Sequence, residues 1–239
     1  MNPLALVTGG AKRLGAAFAL RLAQMGYDIA LHSYATPPQE TRIQIEALGR
    51  RVFLLRANLT QPQALSAMME KVAGIKSQGE DLQVVVNSAG VMRAGDVRGV
   101  PLAEWDETLN LNLRAPFLIS QAAAPLLSTG GVIINISDIA AGQTWTRYPA
   151  YVVSKAALES LTKILARALA PNIRVNAIAP GLALPSNIIS AEEWQRLVSR
   201  LPLQRPAALD DLTAALEFLI RNQSITGQVL AVDCGYSLL

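Results

Sequence analysis

The stretch that most constrains the fold lies near the N-terminus, where the apolar run Leu4-Ala5-Leu6-Val7-Thr8 meets Gly9-Gly10 and then a segment, 14–25, with helical spacing of apolar residues. Short and apolar at nearly every position, the run reads as a strand buried on both faces, the kind found in parallel sheets covered by helices. Strand, glycine turn and helix in succession are the context a dinucleotide site demands. A pyrophosphate needs backbone N–H groups at a helix N-terminus with no Cβ in the way, which Gly9, Gly10 and Gly15 can provide. The run Thr8-Gly9-Gly10-Ala11-Lys12-Arg13-Leu14-Gly15 is not a strict G-x-G-x-x-G, because Arg13 stands where a middle glycine is expected.

The rest of the 239 residues repeats this alternation. The pattern predicts strands over 4–8, 28–33, 52–55, 84–86, 132–136, 173–178 and 229–232. It predicts helices over 14–25, 39–48, 61–76, 149–169, 191–200 and 209–221, with a long helical stretch over 104–127 bent around Pro116. With no repeat, low-complexity tract or linker between them, these elements predict one α/β domain over 1–239, a doubly wound parallel sheet with helices on both faces.

Hydrophobic content of 51% reflects such buried strands, since no run reaches the roughly 18 apolar residues that a spanning helix needs. The net charge of +3 is small and its lysines and arginines are scattered, which argues against nucleic acid and suits a phosphate-bearing small ligand. The single cysteine, Cys234, rules out an intrachain disulfide. With no basic segment or cleavage site at the N-terminus, a cytoplasmic location is expected.

The end of the second strand reads Leu31-His32-Ser33-Tyr34-Ala35-Thr36, with no carboxylate to bond adenosine ribose hydroxyls or repel a 2′-phosphate. Lys12 and Arg13 approach from the glycine turn, so NADP(H) is favoured over NAD(H). Asn58-Leu59 follows the third strand. Asn87-Ser88-Ala89-Gly90 follows the fourth, where small residues let a nicotinamide ribose lie close to the backbone. Pro180-Gly181 follows the sixth. Ligands of such sheets bind outside the carboxyl ends of the strands, so one crevice collects these positions.

Into the same crevice comes the stretch 135–155, NISDIAAGQTWTRYPAYVVSK. Tyr151 and Lys155 stand i,i+4 on one helix face. A free tyrosine has a pKa of about 10 and handles protons poorly at neutral pH unless a cation favours its phenolate. Lys155 is expected to supply that cation, and Asp138, at the strand end, to complete a proton-handling group. Asp138 has a plainer use as a turn residue paired with Lys155 or Arg147. Trp105 and Trp145 are read as packing residues.

Together these residues resemble the short-chain dehydrogenase/reductase family over essentially the whole chain. The matching pieces are Thr8 to Gly15, Asn87 to Gly90, Asn112 in Asn-Leu-Arg-Ala-Pro-Phe, Tyr151-x-x-x-Lys155, Ile173 to Asn176 and Pro180-Gly181. The resemblance implies a Rossmann-like sheet of about seven strands, commonly a homotetramer, with Asn112 in a proton relay. It also implies a cofactor grip by Gly9, Arg13, Leu14, Gly15, His32, Ser33, Tyr34, Asn58, Leu59, Asn87, Ala89, Gly90, Tyr151, Lys155, Pro180 and Gly181. The family serine, thirteen residues before the tyrosine, falls on Asp138 here, and Ser137 is one place too early.

An aspartate there resembles the pteridine reductases, as do the glycine turn, Leu31-His32, Pro180-Gly181-Leu182 and Val232-Asp233-x-Gly235-Tyr236. That resemblance implies that Arg13 contacts cofactor phosphate and faces the pterin, with Leu182 and Trp194 near a substrate lid. The aromatic stacker of those enzymes is matched by Met92. Their basic residue after the second strand is missing, leaving Arg13, Ser33, Thr36 and Arg56 to compensate. The expected activity is NADPH-dependent hydride transfer to a pterin of the dihydrobiopterin or dihydrofolate kind. The alternatives are a carbonyl reductase for 3-oxoacyl thioesters or other ketones, and a nucleotide-binding protein that has lost catalysis.

Overall fold

The computed structural model describes residues 2–185 and 189–239. Seven parallel strands form one sheet: β1 Asn2–Thr8, β2 Asp28–Ser33, β3 Val52–Arg56, β4 Glu80–Asn87, β5 Gly131–Ile136, β6 Ile173–Pro180 and β7 Val229–Val232. Their order is β3-β2-β1-β4-β5-β6-β7. The chain therefore winds outward from β1 to β3, then returns to the other side of β1. The reversal falls between β1 and β4, where a crevice opens at the carboxyl ends of the strands.

Alternate residues of β1 explain its unbroken apolar run. Leu4 and Leu6 face one layer, with Leu82, Val85, Ile133 and Val175 of the neighbouring strands, under α3 (Pro62–Ser77), α5 (Ala115–Ala123) and α6 (Pro149–Ala168). Ala5 and Val7 face the other, with Ile29, Leu31, Val84, Val86 and Ile134, under α1 (Arg13–Gln24) and α8 (Leu209–Arg221). Each such leucine, isoleucine or valine contributes about 1.5–3 kcal/mol when fully buried, so both faces favour one register. Helix α2 (Gln39–Ala47) packs against α1 and β3, α7 (Ala191–Arg200) lines the cleft, and all the predicted strands are present within a few residues.

The predicted long helix over 104–127 is the main departure. It divides into α4 (Leu102–Leu109), a π-helical turn (Asn110–Arg114) and α5, and it ends at Ala123. Pro116 explains the break. It has no N–H for the carbonyl of Asn112 four residues earlier, and its ring crowds that carbonyl, so the turn before it widens. Among the described residues, no helix is long and apolar enough to cross a membrane.

Candidate active site

A cleft of about 1000 Å³ lies over the carboxyl ends of the strands. One end is built by the glycine turn. Gly9 has φ +68°, and a Cβ there would come within 2.9 Å of the Ala89 backbone; a Cβ on Gly15 would lie 2.2 Å from the Gly9 carbonyl oxygen. The turn can therefore sit against both β4 and the start of α1 only with glycine at these places. Arg13 holds the left-handed conformation at φ +54°, where a glycine is the easier residue. Among the described residues no side chain caps the N-terminus of α1 and no acidic residue occupies its first turn, so its N–H groups are open to an anion.

Short side chains brace this end. The Thr8 hydroxyl accepts hydrogen bonds from the N–H groups of Ser88 (3.0 Å) and Ala89 (3.1 Å), tying the loop after β4 to the tip of β1. Thr41 bonds the Ala11 carbonyl at 3.2 Å. Buried His32 accepts the Gly9 N–H on Nδ1 (3.2 Å) and donates from Nε2 to the Ala57 carbonyl (3.0 Å). Burial lowers its pKa, which keeps the imidazole neutral in this tautomer. His32, Ser33, Tyr34, Ala35, Thr36, Asn58 and Leu59 line the cleft beside Lys12 and Arg13, and among the described residues no carboxylate lines this end. Arg56, the suggested compensating base, pairs in register with Ser33 but does not line the cleft.

At the middle of the cleft, two residues after β5 ends, stands Asp138, whose extended backbone precedes a 3-10 turn, Ile139–Gly142. Its Oδ1 accepts the Ala140 N–H at 2.8 Å, and its Oδ2 accepts the Tyr151 hydroxyl at 2.7 Å. Asp138 is therefore a turn residue and a partner of the tyrosine at once, rather than of Arg147. Lys155 Nζ donates to the Ile136 carbonyl at 2.7 Å and stands 5.6 Å from the Tyr151 ring centroid.

The electrostatics differ from the expectation in one respect. The Tyr151 pKa is raised well above its usual value, by burial first and then by the charge of Asp138 and the hydrogen bond to it. The Asp138 carboxylate accepts directly from the phenol at 2.7 Å, whereas Lys155 Nζ stands 5.6 Å from the ring centroid, so the shift is upward. Burial also pushes the Asp138 carboxyl up, against the pull of Ala140, Tyr151 and Lys155. Burial brings Lys155 down to about 8, opposed by the charges of Asp138 and Glu159. Glu159 is a neighbour the sequence reading missed; it accepts the Ser137 hydroxyl at 2.9 Å, so that serine is committed elsewhere.

Asn112 and Asn87 do not line the cleft. The Asn112 amide brackets the Val91 backbone, accepting its N–H and donating to its carbonyl, each at 2.9 Å, and also donates to Ser154 at 3.1 Å. Ser154 in turn bonds the Tyr151 carbonyl at 2.7 Å. The Asn87 amide turns inward to Asn135 at 2.9 Å, leaving Ser88, Ala89 and Gly90 to line the cleft.

The far end is aromatic. Trp145, read from sequence as packing, lines the cleft, with its ring 5.8 Å from Tyr236 and 6.4 Å from Tyr148, both edge to face. Met92, Leu182 and Trp194 line it too, with Pro180 and Gly181. Tyr236 was also missed as a site residue. Its position follows from Asp233, whose carboxylate accepts the N–H groups of Gly235 (2.9 Å) and Ser237 (2.8 Å) and so folds the chain after β7 back over the cleft. The sequence signal was the Asp-x-Gly-Tyr spacing. The Arg13 guanidinium reaches across to the carbonyls of Leu184 (3.3 Å) and Pro185 (3.0 Å).

The family profile described as "Enoyl-(Acyl carrier protein) reductase" matches residues 9–237. The 2-dehydro-3-deoxy-D-gluconate 5-dehydrogenase of Escherichia coli (strain K12) is 35% identical over 243 residues, covering 98% of this chain and 94% of that protein. The 3-oxoacyl-(acyl-carrier-protein) reductase FabG of Staphylococcus aureus (strain Mu50) is 32% identical over 244 residues, covering 98% of each. Among solved structures, FolM Alternative dihydrofolate reductase 1 from Brucella canis, complexed with NADP, superposes with a TM-score of 0.89 at 32% identity, over 100% of this chain and 95% of that one. A profile spanning nearly all residues and relatives above 30% identity along the whole length lead to one conclusion: the chain belongs to the short-chain dehydrogenase/reductase family of oxidoreductases.

Proposed function

We propose that this protein is an NADPH-dependent reductase that delivers hydride to a C=N bond of a pterin. The observation that carries the reading is the 2.7 Å hydrogen bond from Tyr151 to Asp138, a carboxylate where the family has a serine. A serine hydroxyl is a neutral donor suited to a ketone oxygen, whereas an ionised carboxylate only accepts. A pterin, rich in N–H donors, suits it better. The NADP-bound FolM structure, at 32% identity, supports both cofactor and substrate class.

The cleft fits the cofactor. The open N–H groups at the start of α1, with Lys12 and Arg13 beside them, suit its phosphates, and the carboxylate-free end at His32 to Thr36 suits a 2′-phosphate. When bound, the nicotinamide supplies the hydride. Tyr151 and Asp138 share a proton and pass it to the ring nitrogen beside the reduced carbon, and the pair regains it from solvent. Burial and the neighbouring charge make the phenol a reluctant acid, so the proton leaves Tyr151 only towards a basic ring nitrogen, while the Asp138 carboxylate accepts from the pterin N–H groups. Lys155 offsets the negative charge left behind and is placed to hold the nicotinamide ribose. Asn112 positions Val91 and, through Ser154, the first turn of α6.

Ketone reduction is the second reading, supported by the similarity to FabG and to the gluconate dehydrogenase. The deciding experiment follows NADPH and NADH oxidation with dihydrobiopterin and dihydrofolate, against an acetoacetyl thioester and a simple ketone, in the parent and in Asp138→Ser. Pterin turnover that falls in the variant is the expected result. Turnover of the thioester alone, retained or improved in Asp138→Ser, replaces the pterin reading with the ketone one.

A further inference from the structure

The cleft does not stop at its aromatic end. A second cavity, of about 180 Å³, is lined by Gln143, Trp145, Leu197, Arg200, Tyr236 and Leu239, and three of these, Trp145, Leu197 and Tyr236, line the large cleft as well. The two spaces thus share a wall of two aromatic rings, 5.8 Å apart and edge to face, and one leucine. Their chemistry differs. The shared wall is aromatic and apolar, while beyond it stand Gln143, Arg200 and Leu239.

Arg200 closes α7 and is exposed. Its neighbours in sequence are paired, Arg196 with Glu193 at 3.9 Å and Arg205 with Asp211 at 3.0 Å. Among the described residues, Arg200 has no carboxylate partner. Tyr236 lines both spaces, the one that holds Asp138 and the one that holds Arg200, so its ring stands in the wall they share.

From the dyad outward, the surface therefore offers a carboxylate for a flat polar ring, an aromatic wall, and then a guanidinium with an amide. We propose that the second cavity is a distal subsite. A substrate whose polar heterocycle rests at Asp138 would cross Trp145 and Tyr236 with an aromatic linker and set a terminal carboxylate against Arg200 and Gln143. The inference rests on the pterin reading and narrows it, because a folate carries this sequence of groups: a pterin, an aminobenzoyl ring and a glutamate. A volume of 180 Å³ equals about six waters at roughly 30 Å³ each, room for a carboxylate arm and too little for the ring system. A planar guanidinium matches a carboxylate with two parallel hydrogen bonds, which a lysine does not reproduce.

The test compares kcat/KM for dihydrofolate with kcat/KM for dihydrobiopterin, which has a short uncharged side chain, in the parent, Arg200→Gln and Arg200→Lys. The ratio is expected to fall about tenfold in Arg200→Gln through the KM of dihydrofolate, and to recover in part in Arg200→Lys. Turnover of both pterins with a ratio indifferent to residue 200 overturns the subsite and leaves the pterin reading standing. No turnover of either pterin by the parent overturns both. A loss spread equally over both substrates makes Arg200 a structural residue and removes the subsite.

Discussion

At the glycine turn, the groups facing the cleft are largely backbone, held by short contacts: Gly15 against the Gly9 carbonyl, Thr8 on two N–H groups, His32 between Gly9 and Ala57. At the opposite end they are long side chains, Trp145, Trp194, Tyr236 and Met92, brought together from four segments far apart in sequence. The first end is held in one conformation by these contacts and recognises a dinucleotide, with its 2′-phosphate, rather than a substrate. The second is defined by packing, tolerates replacement, and is where relatives of equal identity can differ in substrate. Between them, Asp138, Tyr151 and Lys155 form a buried charged group that belongs to neither.

That middle group should give the largest effect. Lys155→Met is expected to lower kcat at least about 100-fold, because the charge left when Tyr151 and Asp138 release their proton then has no counterion. In the parent, kcat should fall as pH rises through about 8, where Lys155 loses its proton. The sign for stability is opposite. The folded-state value lies below the ordinary 10.5, so the charged lysine costs stability below about 8, and that cost is lifted as pH rises towards 10.5. Lys155→Met should therefore melt at or above the parent temperature at pH 7 while losing activity. Calorimetry with a pH–rate profile checks both, and a variant that is active and less stable would contradict the role given to the lysine.

Gly15→Ala strikes the cofactor end. Its Cβ would sit 2.2 Å from a backbone oxygen, so the turn must shift, at about 1–3 kcal/mol. Thermal melts should show this loss, and titration with NADPH a weaker affinity, whereas the ratio of pterin to ketone turnover should not move. A changed ratio would mean that the two ends are not independent.

The same contrast decides how much was legible in the sequence. Fold and cofactor end are written in local patterns: apolar runs such as Leu4–Val7 that fill both sheet faces, and glycines that the turn cannot replace. Tyr151 and Lys155 were legible because one helix carries both. Trp145 and Tyr236 were not, since their meeting depends on the turn that Asp233 folds after β7, across some ninety residues of chain. The direction of the Tyr151 shift was misread for a related reason. Spacing placed the lysine one turn away, but only the folded strand end shows Asp138 nearer still. The break at Asn110–Arg114 rather than at Pro116 itself reflects the carbonyl a proline disturbs, four residues before it.

Thr8→Val is a subtler probe of the cofactor end. Valine keeps the shape but leaves the N–H groups of Ser88 and Ala89 without their acceptor, a cost of about 1–3 kcal/mol. Hydrogen exchange at those two amides should quicken along with the drop in melting temperature. Acid should loosen the same end. Because the His32 value is lowered by burial, the stability it contributes is full above about 6.5, the ordinary histidine value, and is lost as pH falls through its folded value. His32→Gln should flatten that part of the pH–stability curve. A parent curve already flat there would show that His32 titrates as if exposed.

The smallest effect is expected where packing alone is changed. Met92 lines the cleft, and on the pterin reading its thioether is the surface offered to the flat heterocycle. Met92→Phe adds an aromatic face worth about 0.5–1.5 kcal/mol, so KM for dihydrobiopterin should fall a few-fold with kcat nearly unchanged. A ketone without a ring gains nothing from that face, and its KM should stay where it was. If both substrates respond alike, residue 92 packs against the loop rather than the substrate. The aromatic wall of Trp145 and Tyr236 would then be the surface that reads the ring.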